Sequence, residues 1–172
     1  LLLAGISKQT KAEQYPQEET VAGLTYELDE EDTGYLVTKW DGVSEEVTIP
    51  DELHGIPVRA VGSSVFQGRK LLRKITFGKN ISSIYWKSFY GCSSLVEVHF
   101  GSNIREVEEE AFRECSNLQI ITGGNRLKKI GTHAFADCQS LKEFHVPKNI
   151  TYFGNGVFVG CTNLEKITAS AT

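Results

Sequence analysis

The sequence predicts a mainly β repeat solenoid: a right-handed winding of 23-residue coils with a parallel sheet on one face and an N-terminal β-hairpin cap. Three observations carry this. Phe66, Phe89, Phe112, Phe135 and Phe158 lie 23 apart without a slip, and so do Leu72, Leu95, Leu118, Leu141 and Leu164. Eight phases of the 23, starting at Val58, Val61, Val65, Phe66, Arg69, Leu72, Ile75 and Phe77, hold 37 apolar residues in 40 positions. Only 11 of the other 75 positions in residues 58–172 are apolar. Such a contrast at fixed period means that each coil exposes an apolar edge which only the next coil can bury.

The elements follow in order. Residues 1–20 read as a leader remnant or flexible linker. The apolar stub at residues 1–5 is either the end of a signal peptide or a remnant of expression, and residues 8–20 are polar without a period of 2 or 3.6. Residues 21–57 form the cap. Leu24-Thr25-Tyr26-Glu27-Leu28 alternates apolar and polar, residues 29–34 are turn-rich, and Tyr35 to Trp40 is again strand-like, so the pair reads as an antiparallel hairpin. Val47-Thr48-Ile49 is a third short strand that ends at Pro50.

Residues 58–172 divide into five repeats of 23. Leu72-x-x-Ile75-x-Phe77-x-x-Asn80 is the L-x-x-L-x-L-x-x-N pattern of leucine-rich repeats. It recurs at Leu95, Val98, Phe100, Asn103 and at Leu141, Phe144, Val146, Asn149. It places strands near 74–77, 97–100, 120–123, 143–146 and 166–169, with the Asn bonding backbone groups at the turn. The third coil departs from the pattern with Gly123 and Arg126, the fifth with Ala169 and Thr172.

The fuller pattern I-x-x-I-x-x-x-A-F-x-x-C-x-x-L-x-x-I is nearly whole in Ile104, Val107, Ala111, Phe112, Cys115, Leu118 and Ile121, and again from Leu127 through Ala134-Phe135 and Cys138 to Val146-Pro147 and Asn149. It resembles the BspA-like leucine-rich repeat family, also called the Treponema pallidum type. The Tyr-containing hairpin and Gly55-x-Pro57-Val58 resemble that family's lead-in, so the likeness covers residues 24–172. It implies a bacterial secreted or cell-surface protein with a non-enzymatic role in protein binding and adhesion. It carries over no site residue.

Composition excludes several classes. A net charge of −4 and a pI near 5.6 argue against a nucleic-acid partner. No apolar run approaches the roughly 20 residues needed for a bilayer-spanning helix, so no membrane insertion is expected. The chain has no Met, which suggests a processed product or a fragment. No G-x-S-x-G elbow, P-loop or H-E-x-x-H motif occurs, so no enzyme and no cofactor are expected.

Cys92, Cys115, Cys138 and Cys161 share one phase. Their side chains would point the same way into the core, whereas a disulfide needs convergent Cβ atoms, so a column of free thiols is expected. No C-x2-C spacing supports a metal. The acidic residues Glu106, Glu108, Glu109 and Glu110 lack a calcium-loop pattern and read as a solvated turn.

Five residues are candidate partner contacts. Tyr85, Trp86 and Tyr90 fall outside the core phases; at the phases of Tyr85 and Trp86 other coils carry Gly, Glu, Ser, Thr or Asn, so the fold does not require an aromatic there. They are either interface anchors or packed against a neighbouring turn. His99 and His145 share the outward middle position of the strand, about 10 Å apart and too far to hold one metal. That column is either a solvated surface or part of a ligand-binding face.

The expected function is a binding module of a secreted or surface protein that engages a protein or glycan through the solenoid surface. The alternative is a structural spacer in a larger surface protein. The fifth coil keeps Val157, Phe158, Leu164 and Ile167 at core phases with nothing after Thr172. Further chain, or self-association through end-to-end or edge-strand contacts, is expected to cover it.

Overall fold

The structure, a computed structural model, describes residues 15–30 and 33–169. The stub at residues 1–5 and the rest of the chain to residue 14 lie outside these, as do residues 170–172. The chain opens with β1 (Glu18–Val21), β2 (Leu24–Leu28) and β3 (Tyr35–Trp40), paired antiparallel in that order. The expected linker therefore ends earlier than residue 20. β1 lies on the free edge of β2 and is mostly exposed, so it lacks the alternation that marks a half-buried strand.

From β3 onward the chain winds as a solenoid. β3, β6 (Ile56–Val61), β8 (Ser83–Ile84), β10 (Glu106–Val107), β12 (Lys129–Ile130) and β14 (Tyr152–Phe153) stack in parallel on one face. A second face carries β4 (Glu46–Ile49), β7 (Lys74–Phe77), β9 (Glu97–His99) and β11 (Ile120–Thr122), also parallel. β13 (Glu143–Val146) and β15 (Lys166–Ala169) pair with each other in register, residue 143 beside 166. β5 (Glu52–Leu53) is a small antiparallel addition to β6. Because β3 and β4 stack on the two strands of the next coil, the cap contributes a coil of its own, and six coils result.

A third hydrogen-bond ladder runs through the turn between the faces. The Phe66, Phe89, Phe112 and Phe135 amides donate to the carbonyls of Ser88, Ala111, Ala134 and Val157 in the following coil, at 2.7–3.1 Å. Two residues of every described turn are left-handed. One phase holds Ser64, Lys87, Glu110, His133 and Gly156, the other Gly68, Gly91, Glu114, Asp137 and Gly160. The non-glycine members carry backbone strain that persists because ladders on both sides hold the turn.

The core is a stack of rings. Trp40 covers Phe66 at 5.2 Å between centroids. Phe66–Phe89, Phe89–Phe112 and Phe112–Phe135 follow at 4.7, 4.9 and 5.3 Å, with planes within 7° of parallel. That spacing is close to the separation of neighbouring strands, so flat rings fill each rung without a void. The thiols stack beside them. Cys92, Cys115, Cys138 and Cys161 each donate to the carbonyl of Phe66, Phe89, Phe112 and Phe135 in the preceding coil, at 2.9–3.2 Å, and all four are free. Two departures from apolar phases find local partners. Arg69 donates to the Trp40 carbonyl and its guanidinium lies over the Trp40 ring. Ser88, fully buried, places its hydroxyl within hydrogen-bonding distance of the Gly62 and Tyr85 carbonyls.

The third departure has a larger effect. The five expected strands do not make one sheet, because no ladder joins β11 to β13. Gly123 and Gly124 follow β11 with φ of +80° and +72°, which turns the chain off the strand path. A Cβ on Gly123 would stand 2.3 Å from the Phe100 carbonyl oxygen, so this turn tolerates no side chain. The Asn positions divide, the first bonding a backbone group as expected and the second not. Asn80 donates to the Asp51 carbonyl, whereas Asn103 accepts from Arg126, the residue that replaces Asn one coil later.

Phe112→Ala should cost about 3–5 kcal/mol of unfolding free energy and Cys115→Ala only about 1–2 kcal/mol, measured by urea denaturation. Comparable losses would show that the ring stack is not the dominant core contact. Burial lifts the Cys92 thiol from 9.0 to about 12, raises the other three thiols, and pushes the Tyr26 phenol from 10.0 to about 12. These groups are neutral at pH 7 whether folded or unfolded. Above about pH 9 the unfolded chain sheds protons that the folded chain keeps, so stability should hold through neutral pH and fall as pH rises from about 9 towards 12. A urea midpoint that climbs over that range would contradict this.

Candidate functional site

The turn after β8 is the first place where surface residues depart from the repeat. The Tyr85 amide donates to the Val61 carbonyl, and the Trp86 carbonyl accepts from Ser64, so coil-to-coil bonds hold the backbone of both residues. The Trp86 amide donates to the Glu108 carboxylate at 3.1 Å. Trp86 itself is 44% exposed. The Lys87 ammonium sits over its ring at 4.5 Å from the centroid, and Lys87 is in turn paired with Glu110 at 3.1 Å. The ring thus projects from a turn that is fixed on every side.

Tyr90 is committed to the scaffold. Its hydroxyl donates to Glu114, and its ring carries Lys87 and Arg113 nearby. The bond to Glu114 favours the neutral phenol and raises its pKa above the ordinary value, with burial adding to it. Arg113 also donates to Glu110 at 2.7 Å. Burial, the largest single effect on Glu110, pushes its pKa up, but the bonds from Arg113 and Lys87 together outweigh it and hold the carboxyl below its usual range. Trp86, Lys87 and Tyr90 are therefore one bonded group. Tyr85 is not part of it. Tyr85 lines a separate cleft of about 420 Å³ against the cap, with Leu36, Arg59 and Ser82.

The two histidines are elsewhere, on the outer face of the second sheet. His99 bonds Thr122 at 2.7 Å and Glu97 at 2.9 Å, and His145 bonds Thr168 at 2.9 Å. The bond from His99 holds the Glu97 carboxyl below its usual range. His99 and His145 lie on either side of the break between β11 and β13, so the expected continuous column is split.

Trp86 borders a groove of about 340 Å³ whose opposite wall is Tyr152, half-exposed on β14. Glu108, Glu109, Lys129 and Thr132 lie between them. Gly131 also lines the groove. A Cβ there would stand 2.4 Å from the Glu109 backbone nitrogen, so the absence of a side chain lets the two coils close. Sequence reasoning singled out Trp86 but missed Tyr152 and the polar group between them. The available signal was that Tyr152 occupies a phase held by Ala60, Ser83, Glu106 and Lys129 in other coils.

Among the described residues no group of His, Cys, Asp and Glu is arranged to hold a metal ion, and no helix is long and apolar enough to cross a membrane. The last coil exposes Phe153, Val159 and Ile167.

Similarity to known proteins accords with this architecture. The fold superposes on a leucine-rich repeat protein from T. pallidum with a TM-score of 0.80, at 24% identity, covering 88% of this chain and 81% of that one. It superposes on a leucine-rich cell surface protein of Faecalibacterium prausnitzii with a TM-score of 0.60, at 22% identity, covering 90% of this chain and 55% of that one. For the pneumococcal vaccine antigen PcpA the TM-score is 0.55 at 21% identity, covering 89% of this chain and 50% of that one. The chain thus spans about half the length of the last two. At these identities the likeness is one of fold. No curated protein matches the sequence. The model of the BspA type leucine-rich repeat region matches residues 59–172 in six copies. The chain belongs to the BspA-type leucine-rich repeat family.

Proposed function

We propose that this chain is a non-enzymatic binding module of a secreted or cell-surface protein, and that it engages an extracellular macromolecule through the side of the solenoid. The observation that carries this reading is Trp86, an exposed indole on a rigid turn whose phase needs no aromatic. Large aromatic anchors held in place before contact lose little conformational entropy on binding, which is why they dominate interface energetics. The clefts among the described residues are shallow and open, and none gathers a nucleophile with a base or a metal-ligand set. Fold neighbours described as a cell surface protein and a vaccine antigen support an extracellular location.

Fluorescently labelled chain should bind cultured epithelial cells saturably and be displaced by unlabelled chain. Trp86→Ser should weaken that binding by about 30-fold or more, the effect of losing a hot spot worth about 2 kcal/mol, while the thermal midpoint stays nearly unchanged. Absence of saturable binding would instead favour a spacer. A large drop in the midpoint would show that Trp86 supports the fold.

A further inference from the structure

The groove between Trp86 and Tyr152 has a composition that narrows what it can hold. Several long charged side chains on this solenoid pair along their columns, as in Lys74–Glu97, Lys87–Glu110 and Lys166–Glu143. Lys129 is not among them. It stands directly beside Glu106 in the β10–β12 ladder and makes no ion pair among the described residues. Among the described residues Glu109 has no side-chain partner either, and neither does the Thr132 hydroxyl. An ammonium, a carboxylate and a hydroxyl are thus left available within one depression, with an aromatic wall at each end.

The spacing sets a length. Trp86 follows β8 and Tyr152 lies on β14, and β10 and β12 stand between them. Three steps along the stack separate the two walls by about 14 Å. The sign of the charge sets a class. Glu108 and Glu109 line the groove and Glu106 stands beside Lys129, so carboxylates outnumber the ammonium there; a sulfated or carboxylated polymer would be repelled, whereas a neutral ligand rich in hydroxyls can both donate and accept here. Sugar rings present an apolar face of C–H groups that packs on indole and phenol rings, and their hydroxyls match the mixed donors and acceptors between. One hexose unit of a linear chain spans nearly one coil step, so the groove accommodates about three units.

We propose that this groove binds a neutral, linear oligosaccharide of about three sugar units, laid along the solenoid axis from Trp86 to Tyr152. This rests on the binding-module reading and names its ligand class. Trp86 and Tyr152 supply the two stacking platforms. Lys129 donates to ring or hydroxyl oxygens, Glu109 accepts from hydroxyls, and Thr132 does either. Lys87 has no direct part. It lies over the Trp86 ring, is tied to Glu110, and fixes the orientation of the platform.

The test is isothermal calorimetry of the intact chain with neutral β-linked hexose and N-acetylhexosamine oligomers of two, three and five units, and with a heparin-derived oligosaccharide of similar length as the acidic control. At least one neutral series should bind, with affinity rising about tenfold or more from two to three units and little further at five. Trp86→Ala and Tyr152→Ala should each weaken binding by about tenfold or more, and Tyr152→Phe should retain it, with thermal midpoints unchanged. If Trp86→Ala alone is destabilised, Tyr152→Ala against Tyr152→Phe decides the matter, because Tyr152 is half-exposed on a two-residue strand. No binding by any neutral series, binding indifferent to both aromatic residues, or preference for the heparin fragment would each overturn the proposal. Saturable cell binding alongside any of these results would leave the binding-module reading standing, with a protein as the partner.

Discussion

Everything in this molecule depends on coils landing on one another at the spacing of stacked aromatic rings. The four fully buried phenylalanines and Trp40 form a column with centroid steps near the separation of neighbouring strands, so one distance satisfies both backbone ladders and ring packing. The invariant period of 23 is the sequence-level trace of that constraint.

The turn that carries the Phe also explains the cysteines. The carbonyl of each stacked Phe, from Phe66 to Phe135, accepts from the amide three residues on at 3.2–3.4 Å and has room for a second donor. The thiol of the next coil reaches it as a weak donor while behaving otherwise as a small apolar group. Burial then keeps these thiols protonated and makes them poor nucleophiles. The column belongs to the scaffold.

With the interior determined by the repeat, the surface is free to vary, and its variations decide what the molecule can do. Lys87 and Glu110 sit in the strained left-handed position of successive turns, and their side chains meet there to brace Trp86. Gly131 lets two coils close at a groove. Gly123 and Gly124 end a strand early and divide the second sheet, which separates His99 from His145. None of these changes disturbs the ring column, so a new surface costs the core little.

The sequence by itself determined the periodic part of this protein. The Phe and Leu columns located the core, the L-x-x-L-x-L pattern located the strands of the second face, and the alternation in residues 24–28 and 35–40 located the hairpin. It could not reveal the first-face strands β8, β10, β12 and β14, because two residues are too few to alternate. It also missed β1, whose residues face solvent on both sides and carry no burial signal. Periodicity states which residues share a column; it says nothing about how neighbouring columns turn towards each other. Only the tertiary structure could therefore separate Tyr85 from Trp86, commit Tyr90 to Glu114, leave Lys129 beside Glu106 and unpaired among the described residues, and bring Tyr152 to the far wall of the groove that Trp86 opens. Those outcomes depend on side-chain direction and on the closeness of coils at Gly131, distances that no one-dimensional repeat encodes.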